Sequence, residues 1–243
     1  MTGTQEITFC GHGLSEYGCV ILEPPKRPFP KRKYDKKTVY GRSGDLIIDS
    51  EAYDNISLSY KVATIPELYG ARFVDEVLTR LKTWLCRSVD YQKLYDTELP
   101  NGFYNAFCSG ISDAVCTFDD MYEFSINFSC KPFFYYGSGQ KTVVKNEREL
   151  TLFNYGTIPS QPLIELRGVG SFECTINARQ FTVSDVIDGI TIDSEKKLVY
   201  GGGVSRTHQF EGEYPLLDVG QNSIRIVGGA LGSVKITPRW CRL

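Results

Sequence analysis

The chain has 243 residues, 42% of them hydrophobic and 23% charged, with a formal net charge of −2. That length suits two hydrophobic cores, and the composition is too apolar for disorder to be the default. The slight acidic excess argues against a general nucleic-acid binder, which carries a basic domain, and no apolar run reaches the roughly 18–20 residues that span a bilayer.

The opening Met1-Thr-Gly-Thr-Gln-Glu-Ile-Thr-Phe9 lacks the basic start and apolar core of a secretory leader, so assembly in cytoplasm is expected. Ile7–Phe9 and Cys19–Leu22 are short apolar runs around a turn at Gly11-His-Gly13. The segment Glu23-Pro-Pro-Lys-Arg-Pro-Phe-Pro-Lys-Arg-Lys33 cannot be a central strand, because its prolines donate no ladder hydrogen bonds. It is expected to be an extended, exposed excursion. Lys37–Tyr40 and Asp45–Ile48 follow as β-like runs joined by a tight link, Gly41-Arg-Ser-Gly44, and Ile56–Val62 alternates with period two.

One segment has helical spacing. Phe73, Val74, Val77, Leu78, Leu81 and Leu85 line one face over about 71–86, with Arg72, Asp75, Glu76, Thr79, Lys82 and Thr83 opposite and Trp84 just off the stripe. The helix should pack on a sheet. Strands resume at Gly102–Cys108 and Met121–Cys130, after which Lys131-Pro-Phe-Phe-Tyr-Tyr-Gly-Ser-Gly139 breaks the pattern. The domain boundary falls there, giving domains 1–135 and 136–243. The second domain holds eight short strands at 149–153, 163–166, 172–176, 181–183, 189–192, 198–200, 223–227 and 233–237. With no helical period among them, they argue a β-sandwich of jelly-roll or related type. The expected class is mainly β: a sandwich-like N-terminal domain with one packed α-helix, then a second β-sandwich.

No catalytic, cofactor or metal site is expected. The eight cysteines are scattered without a CxxC, which suits small buried hydrophobes in a reducing compartment. Cys10 and His12 lack a third orienting group, and Asp119, Asp120 and Glu123 suit a surface sheet better than an acid–base pair. Gly201–Gly203 has no following helix to complete a phosphate loop and is expected to be a flexible loop. The basic excursion says more. Lys26, Arg27, Lys31, Arg32, Lys33, Lys36 and Lys37 place seven of the 27 Lys and Arg within twelve positions. Such a patch meets an acidic protein surface, a phosphate or only solvent. The aromatic richness, 15 Tyr and 14 Phe, favours the protein contact.

Several stretches carry a resemblance. Thr38-Val-Tyr-Gly-Arg-Ser-Gly-Asp-Leu46, then Tyr53-Asp-Asn-Ile-Ser-Leu58, resembles the "pGrdGdL" hairpin and tyrosine-containing strand entry of siphophage distal tail proteins. Glu16-Tyr-Gly-Cys-Val-Ile21 ahead of it fits the same layout. So do Pro162–Leu166, Gly170–Asn177, Gly189–Ser194, Tyr214–Gly220 and Val234–Trp240 after it. The resemblance covers almost the whole chain, through order and spacing rather than any one motif. It implies a C-terminal domain of galectin-like type and N-terminal domains that form a homo-hexameric ring at the tail tip. That ring would join the phage tail tube protein to the tail-associated fibre or lysin protein, with the tape measure and receptor-binding proteins as further partners. The implied location is the virion. Galectin-like likeness raises a second reading, carbohydrate binding in host-surface recognition. The galectin His-x-Asn-x-Arg run is not matched by His208-Gln-Phe-Glu-Gly212, and the stacking Trp would have to be Trp84 or Trp240.

Overall fold

The computed structural model describes residues 5–65, 74–118 and 121–243. The chain divides between Phe134 and Tyr135 into two units, each with its own core.

The first unit contains strands β1 (Ile7–Phe9), β2 (His12–Gly13), β3 (Cys19–Glu23), β4 (Arg32–Lys37), β5 (Leu46–Tyr53) and β6 (Ile56–Thr64). Helix α1 (Val74–Leu85) follows, then β7 (Gln92–Asp96), β8 (Gly102–Ile111), β9 (Val115–Phe118) and the start of β10 (Met121–Tyr136). The main sheet runs β2-β1-β7-β8-β10-β6-β3, with β9 paired to β10. Its register follows the alternation in the sequence: Phe124, Ile126 and Phe128 pair with Val62, Tyr60 and Leu58, and all six are buried. The helix sits on that apolar face through Val77, Leu81, Trp84 and Leu85. Asp75 and Glu76 in its first turn and Lys82 in its last suit the helix dipole. Among the described residues the helix covers Val74–Leu85, and Arg72 and Phe73 of the expected helix lie outside them.

Trp84 corrects the expected stripe. It is 4% exposed, its Nε1 donates to Phe9 O at 2.8 Å, and Tyr17 stacks on it at 4.5 Å. The first turn also moves. Cys10 and Gly11, with φ of +50° and +82°, form a two-residue hairpin turn, and His12-Gly13 belongs to the returning strand. The expected break at Lys131–Gly139 is a strand up to Tyr136. Pro132 is tolerated because pairing with β6 ends at Cys130.

The second unit holds β11 (Val143–Lys145), β12 (Glu149–Asn154), β13 (Leu163–Ile176), β14 (Arg179–Val186) and β15 (Gly189–Asp193). Then come β16 (Leu198–Gly201), β17 (Val204–Ser205), β18 (Phe210–Gly212), β19 (Gly220–Thr237) and β20 (Cys241–Arg242). Two pairs of expected strands are each one long strand. Residues 163–166 and 172–176 both lie in β13, and 223–227 and 233–237 both lie in β19. The long strands pair along their length with register shifts at Gly168 and between Val169 and Phe172. Beyond the bend they have different neighbours. The first half of β13 pairs with β15 and the second with β14, while β19 takes β12 at one end and β11 at the other. Strands that change layer at a bulge build the two faces of a sandwich. Gly228 makes the bend possible: its φ is +86°, and a Cβ there would lie 2.5 Å from Ser171 O. Phe172, Ile176, Val183, Ile192, Ile226 and Ile236 fill the core between the faces.

A buried ion pair braces this unit. Arg239 Nη1 and Nη2 donate to Asp193 Oδ1 and Oδ2 at 2.6 and 3.1 Å, with Glu195 3.5 Å away. Burial alone would raise the Asp193 carboxyl, but the Arg239 hydrogen bonds and charge, aided by Lys196, hold it below its usual value. A depressed carboxylate contributes stability that is fully present above its unfolded pKa of about 3.9 and is lost as pH falls through the folded value. The stability difference between wild type and Asp193→Asn, read from urea midpoints, should therefore shrink as pH is lowered from 7 towards 3. A difference constant over that range would contradict the assignment.

Candidate functional site

Basic residues and exposed apolar ones converge on the β4–β5 hairpin. It forms a two-stranded sheet of its own, with Lys37 opposite Leu46, Lys36 opposite Ile47 and Asp35 opposite Ile48. Its base is closed by Asp54 N–H donating to Lys31 O at 2.8 Å, and a turn near its tip by Arg42 N–H to Val39 O at 3.1 Å. This corrects two expectations. The strand is Arg32–Lys37 rather than Lys37–Tyr40, so it begins inside the supposed excursion, and Gly41–Gly44 lies within the loop 38–45. A charged sequence makes a strand here because both faces of the ribbon meet water.

The seven cations have different environments. Arg27 turns inward: its Nη2 donates to Asp96 Oδ2 at 3.2 Å and to Glu98 Oε2 at 3.1 Å. Burial works against its charge, but the two carboxylates hold it protonated. Arg32 grips Asp49 across the ribbon, with Nε 2.9 Å from Oδ1, and lies over the Tyr53 ring. Lys33 Nζ is 3.5 Å from Asp54. Lys36 sits over Tyr34, 5.6 Å from the ring centre. Among the described residues Lys26, Lys31, Lys36 and Lys37 have no carboxylate partner. The patch therefore separates into three internally paired cations and four that present their charge to solvent.

Asp96, which Arg27 reaches from the stretch leading into this hairpin arm, is a site residue that nothing in the sequence singles out. Its buried carboxylate also accepts from Gln5 Nε2 at 3.0 and 3.1 Å, from Tyr60 Oη at 3.1 Å and from Glu98 N–H at 2.9 Å. Burial, with Asp96 beside it, pushes the Tyr60 phenol up, so Tyr60 stays a neutral donor. Apolar side chains are exposed on the arm and on the stretch that leads into it. Phe29 is 89% exposed, Tyr40 fully so and Ile47 63%, with Tyr34, Leu46 and Ile48 also uncovered. The signal in the sequence was the run Leu46-Ile47-Ile48, which does not alternate although it follows a hairpin loop.

This fold has a solved counterpart. SPP1 Dit (gp 19.1), presented as a paradigm of the hub adsorption apparatus in phages infecting Gram-positive bacteria, superposes with a TM-score of 0.76 over 96% of this chain and 98% of its own, at 12% identity. The chain has the Dit fold. Its class is mainly β, a β-sandwich unit with one helix followed by a galectin-like sandwich, as the resemblance implied. No protein-family model matches the chain, and no curated protein matches its sequence.

Groups that might suggest chemistry have structural duties within the Dit fold. His12 Nδ1 pairs with Glu16 at 2.9 Å. Glu123 pairs with Lys61 at 2.8 Å, while Asp119 and Asp120 lie outside the described residues. Gly202 and Gly203, at φ +59° and +77°, form a two-residue turn between β16 and β17, so a strand and not a helix follows them. Burial pushes the thiols of Cys19, Cys130, Cys174 and Cys241 up to about 12, so they are protonated and inert, whereas Cys86 and Cys116 are exposed, against expectation. Trp84 and Trp240, at 4% and 5% exposure, cannot stack on a sugar. Among the described residues no cluster of three or more His, Cys, Asp or Glu is placed to hold a metal ion, and no helix is long and apolar enough to cross a membrane.

Proposed function

We propose that this protein is a structural subunit of a phage adsorption hub: a homo-hexameric ring at the distal end of a long, non-contractile tail. The ring joins the tail tube protein to the tail-associated fibre or lysin protein and its adsorption apparatus. The observation that carries this reading is the likeness to SPP1 Dit over nearly the full length of both chains. The arm supports it physically. A lone two-stranded ribbon is marginal in water, and one that exposes Tyr40 and Ile47, with Phe29 exposed just ahead of it, gains from a neighbour that covers these side chains. Heterologous contacts of this kind, closed by rotation, generate rings.

Electron microscopy of the purified protein tests this reading, with sixfold rings around a central opening as the expected image. Lys31, Lys36 and Lys37, with Lys26, are the cations free to meet an acidic neighbour. Changing Lys31, Lys36 and Lys37 together to Glu should weaken ring formation most at low salt and leave the monomer's melting temperature within error. Rings of undiminished stability would remove the charge contact from the proposal.

Carbohydrate binding by the C-terminal unit remains a second reading, because Phe153 and Tyr155 form an exposed pair with ring centres 4.8 Å apart. Calorimetry with host-surface saccharides distinguishes the two. Binding that disappears in Phe153→Ala would favour sugar recognition.

A further inference from the structure

A hollow opens in the first unit where β1 leaves its neighbour. β1 pairs with β7 only from Leu94 to Asp96, and at Cys10 the chain turns away. The space beside Gln92 and Lys93 is bounded by that turn and by Arg87 and Ser88, just past the end of α1, and measures about 690 Å³. That volume lies within the range of small-ligand sites. Leu94 and Asp96 are buried, so Lys93 and Tyr95 share the outward face of β7, with Asn105 of β8 directly across from Lys93. Charge sets the class of ligand. Among the described residues no carboxylate lines the hollow, and neither Arg87 nor Lys93 has a carboxylate partner. Asp90, an acid close in sequence, accepts from Tyr91 N–H through Oδ1 at 2.7 Å, and Asp96 is buried on the other side of the strand. In a chain with 29 acids against 27 Lys and Arg, an acid-free wall carrying two unpaired cations favours an anion.

The rest of the lining suits a sugar body. Tyr95 is 43% exposed and rests against Phe103, ring centres 5.4 Å apart, which leaves ring surface for the C–H face of a sugar. Gln92 and Asn105 each carry a donor and an acceptor in one amide, the pair that a sugar hydroxyl needs. The walls are already held. Gln92 Nε2 donates to Ser88 Oγ at 3.3 Å, and Asn55 Nδ2 donates to the Tyr91 hydroxyl at 2.5 Å. Side chains fixed before a ligand arrives lose little freedom on binding it.

We propose that this hollow binds an anionic saccharide, a sugar that carries a phosphate or a carboxylate. Arg87 and Lys93 take the anionic group, Tyr95 the ring, and Gln92 and Asn105 the hydroxyls. A guanidinium meets either oxyanion with two parallel donors. Cations beside aromatic rings also suit single-stranded nucleic acid, which needs successive stacking platforms. Here the second ring is covered: Tyr91 has Phe107 at its side, centres 5.5 Å apart, and Lys131 Nζ over it at 5.3 Å. One exposed ring flanked by amides fits a sugar better. The inference goes beyond the hub reading, and its residues are not those of the Phe153–Tyr155 pair.

The test is saturation-transfer difference NMR on the full-length protein, which reads weak binding from the ligand's own signals whatever the oligomeric size. Glucose 6-phosphate, glucuronate or both should bind, and glucose at least about tenfold more weakly, because it forms no charge-assisted hydrogen bond. The tighter of the two anionic sugars identifies the anion. Arg87→Ala and Lys93→Ala should each weaken binding by about tenfold at unchanged melting temperature, since both side chains are exposed. Tyr95→Ala should lower affinity too. Should that variant fail to fold, Tyr95→Leu keeps an apolar cover over Phe103 without a stacking face and should show the same loss. Several results overturn the proposal: neither anionic sugar binds, glucose binds as tightly, or inorganic phosphate competes as well as the sugar phosphate. Tighter binding of an oligothymidylate, or affinity that survives Arg87→Ala combined with Lys93→Ala, overturns it as well.

Discussion

Serine at Phe29, Tyr40 and Ile47 together should leave a folded monomer and abolish ring formation at micromolar concentration. All three side chains are more than half exposed, so their replacement removes little from the core. Surface changes of this type usually fall within about 0.5 kcal/mol of wild type. If a neighbouring copy covers them, each contributes about 1.5–3 kcal/mol to the contact. Three together then weaken each interface on the order of a thousandfold or more, since about 1.4 kcal/mol is a factor of ten. Size-exclusion chromatography with light scattering would report the loss as a single monomer peak, while the thermal transition should stay in place. Rings that persist in the triple variant at the wild-type threshold would show that the arm's apolar side chains are not the contact.

The contrast between the arm and the main sheet explains what the sequence could reveal. Ile56–Val62 alternates because one face of β6 lies on the core, and the observed burial follows that alternation from Ile56 to Val62. The Val77, Leu81 and Leu85 spacing is equally direct, since a helix on a sheet hides a single stripe. Trp84 was misplaced because a large ring can reach the core from the stripe's margin and satisfy its N–H on a backbone carbonyl. In the second unit the expected strands 163–166 and 223–227 stop short of Gly168–Gly170 and Gly228–Gly229, where the chain is continuous in β13 and β19. These glycines are bends, and the ladder continues beyond them on another layer. Interruption and bending have the same local composition, and only the long-range pairing separates them.

The arm was harder to see, for a physical reason. Periodicity records a buried face, and β4 and most of β5 are exposed throughout. Arg32–Lys37 therefore carried no pattern that marked it as a strand. The division among the seven cations was equally hidden, because it depends on acids distant in sequence or supplied by the opposing strand. Arg27 reaches Asp96, and Arg32 reaches Asp49. Lys26, Lys31, Lys36 and Lys37 are those to which the fold brings no carboxylate among the described residues.

Asp96→Ala should be the most damaging single change at the root of the arm, lowering stability by about 3 kcal/mol. The carboxylate is 4% exposed and joins four pieces of chain: Gln5, Arg27, Tyr60 and its own turn at Glu98. Removing it leaves the Tyr60 hydroxyl buried without an acceptor. It also leaves Arg27 with Glu98 alone, a partner 41% exposed and correspondingly weak. Arg27→Ala should cost less, about 1 kcal/mol, because its guanidinium is one-third exposed and Asp96 keeps its other donors. Urea denaturation should show the larger shift in midpoint for Asp96→Ala at unchanged slope. Hydrogen exchange should separate the local effect from the global one, with amides of Arg32–Lys37 and Leu46–Tyr53 losing protection before those of β6 and β10. Equal midpoints for the two variants, or exchange that rises uniformly across the unit, would mean that Asp96 does not anchor the arm and that the ribbon holds its position by its own pairing.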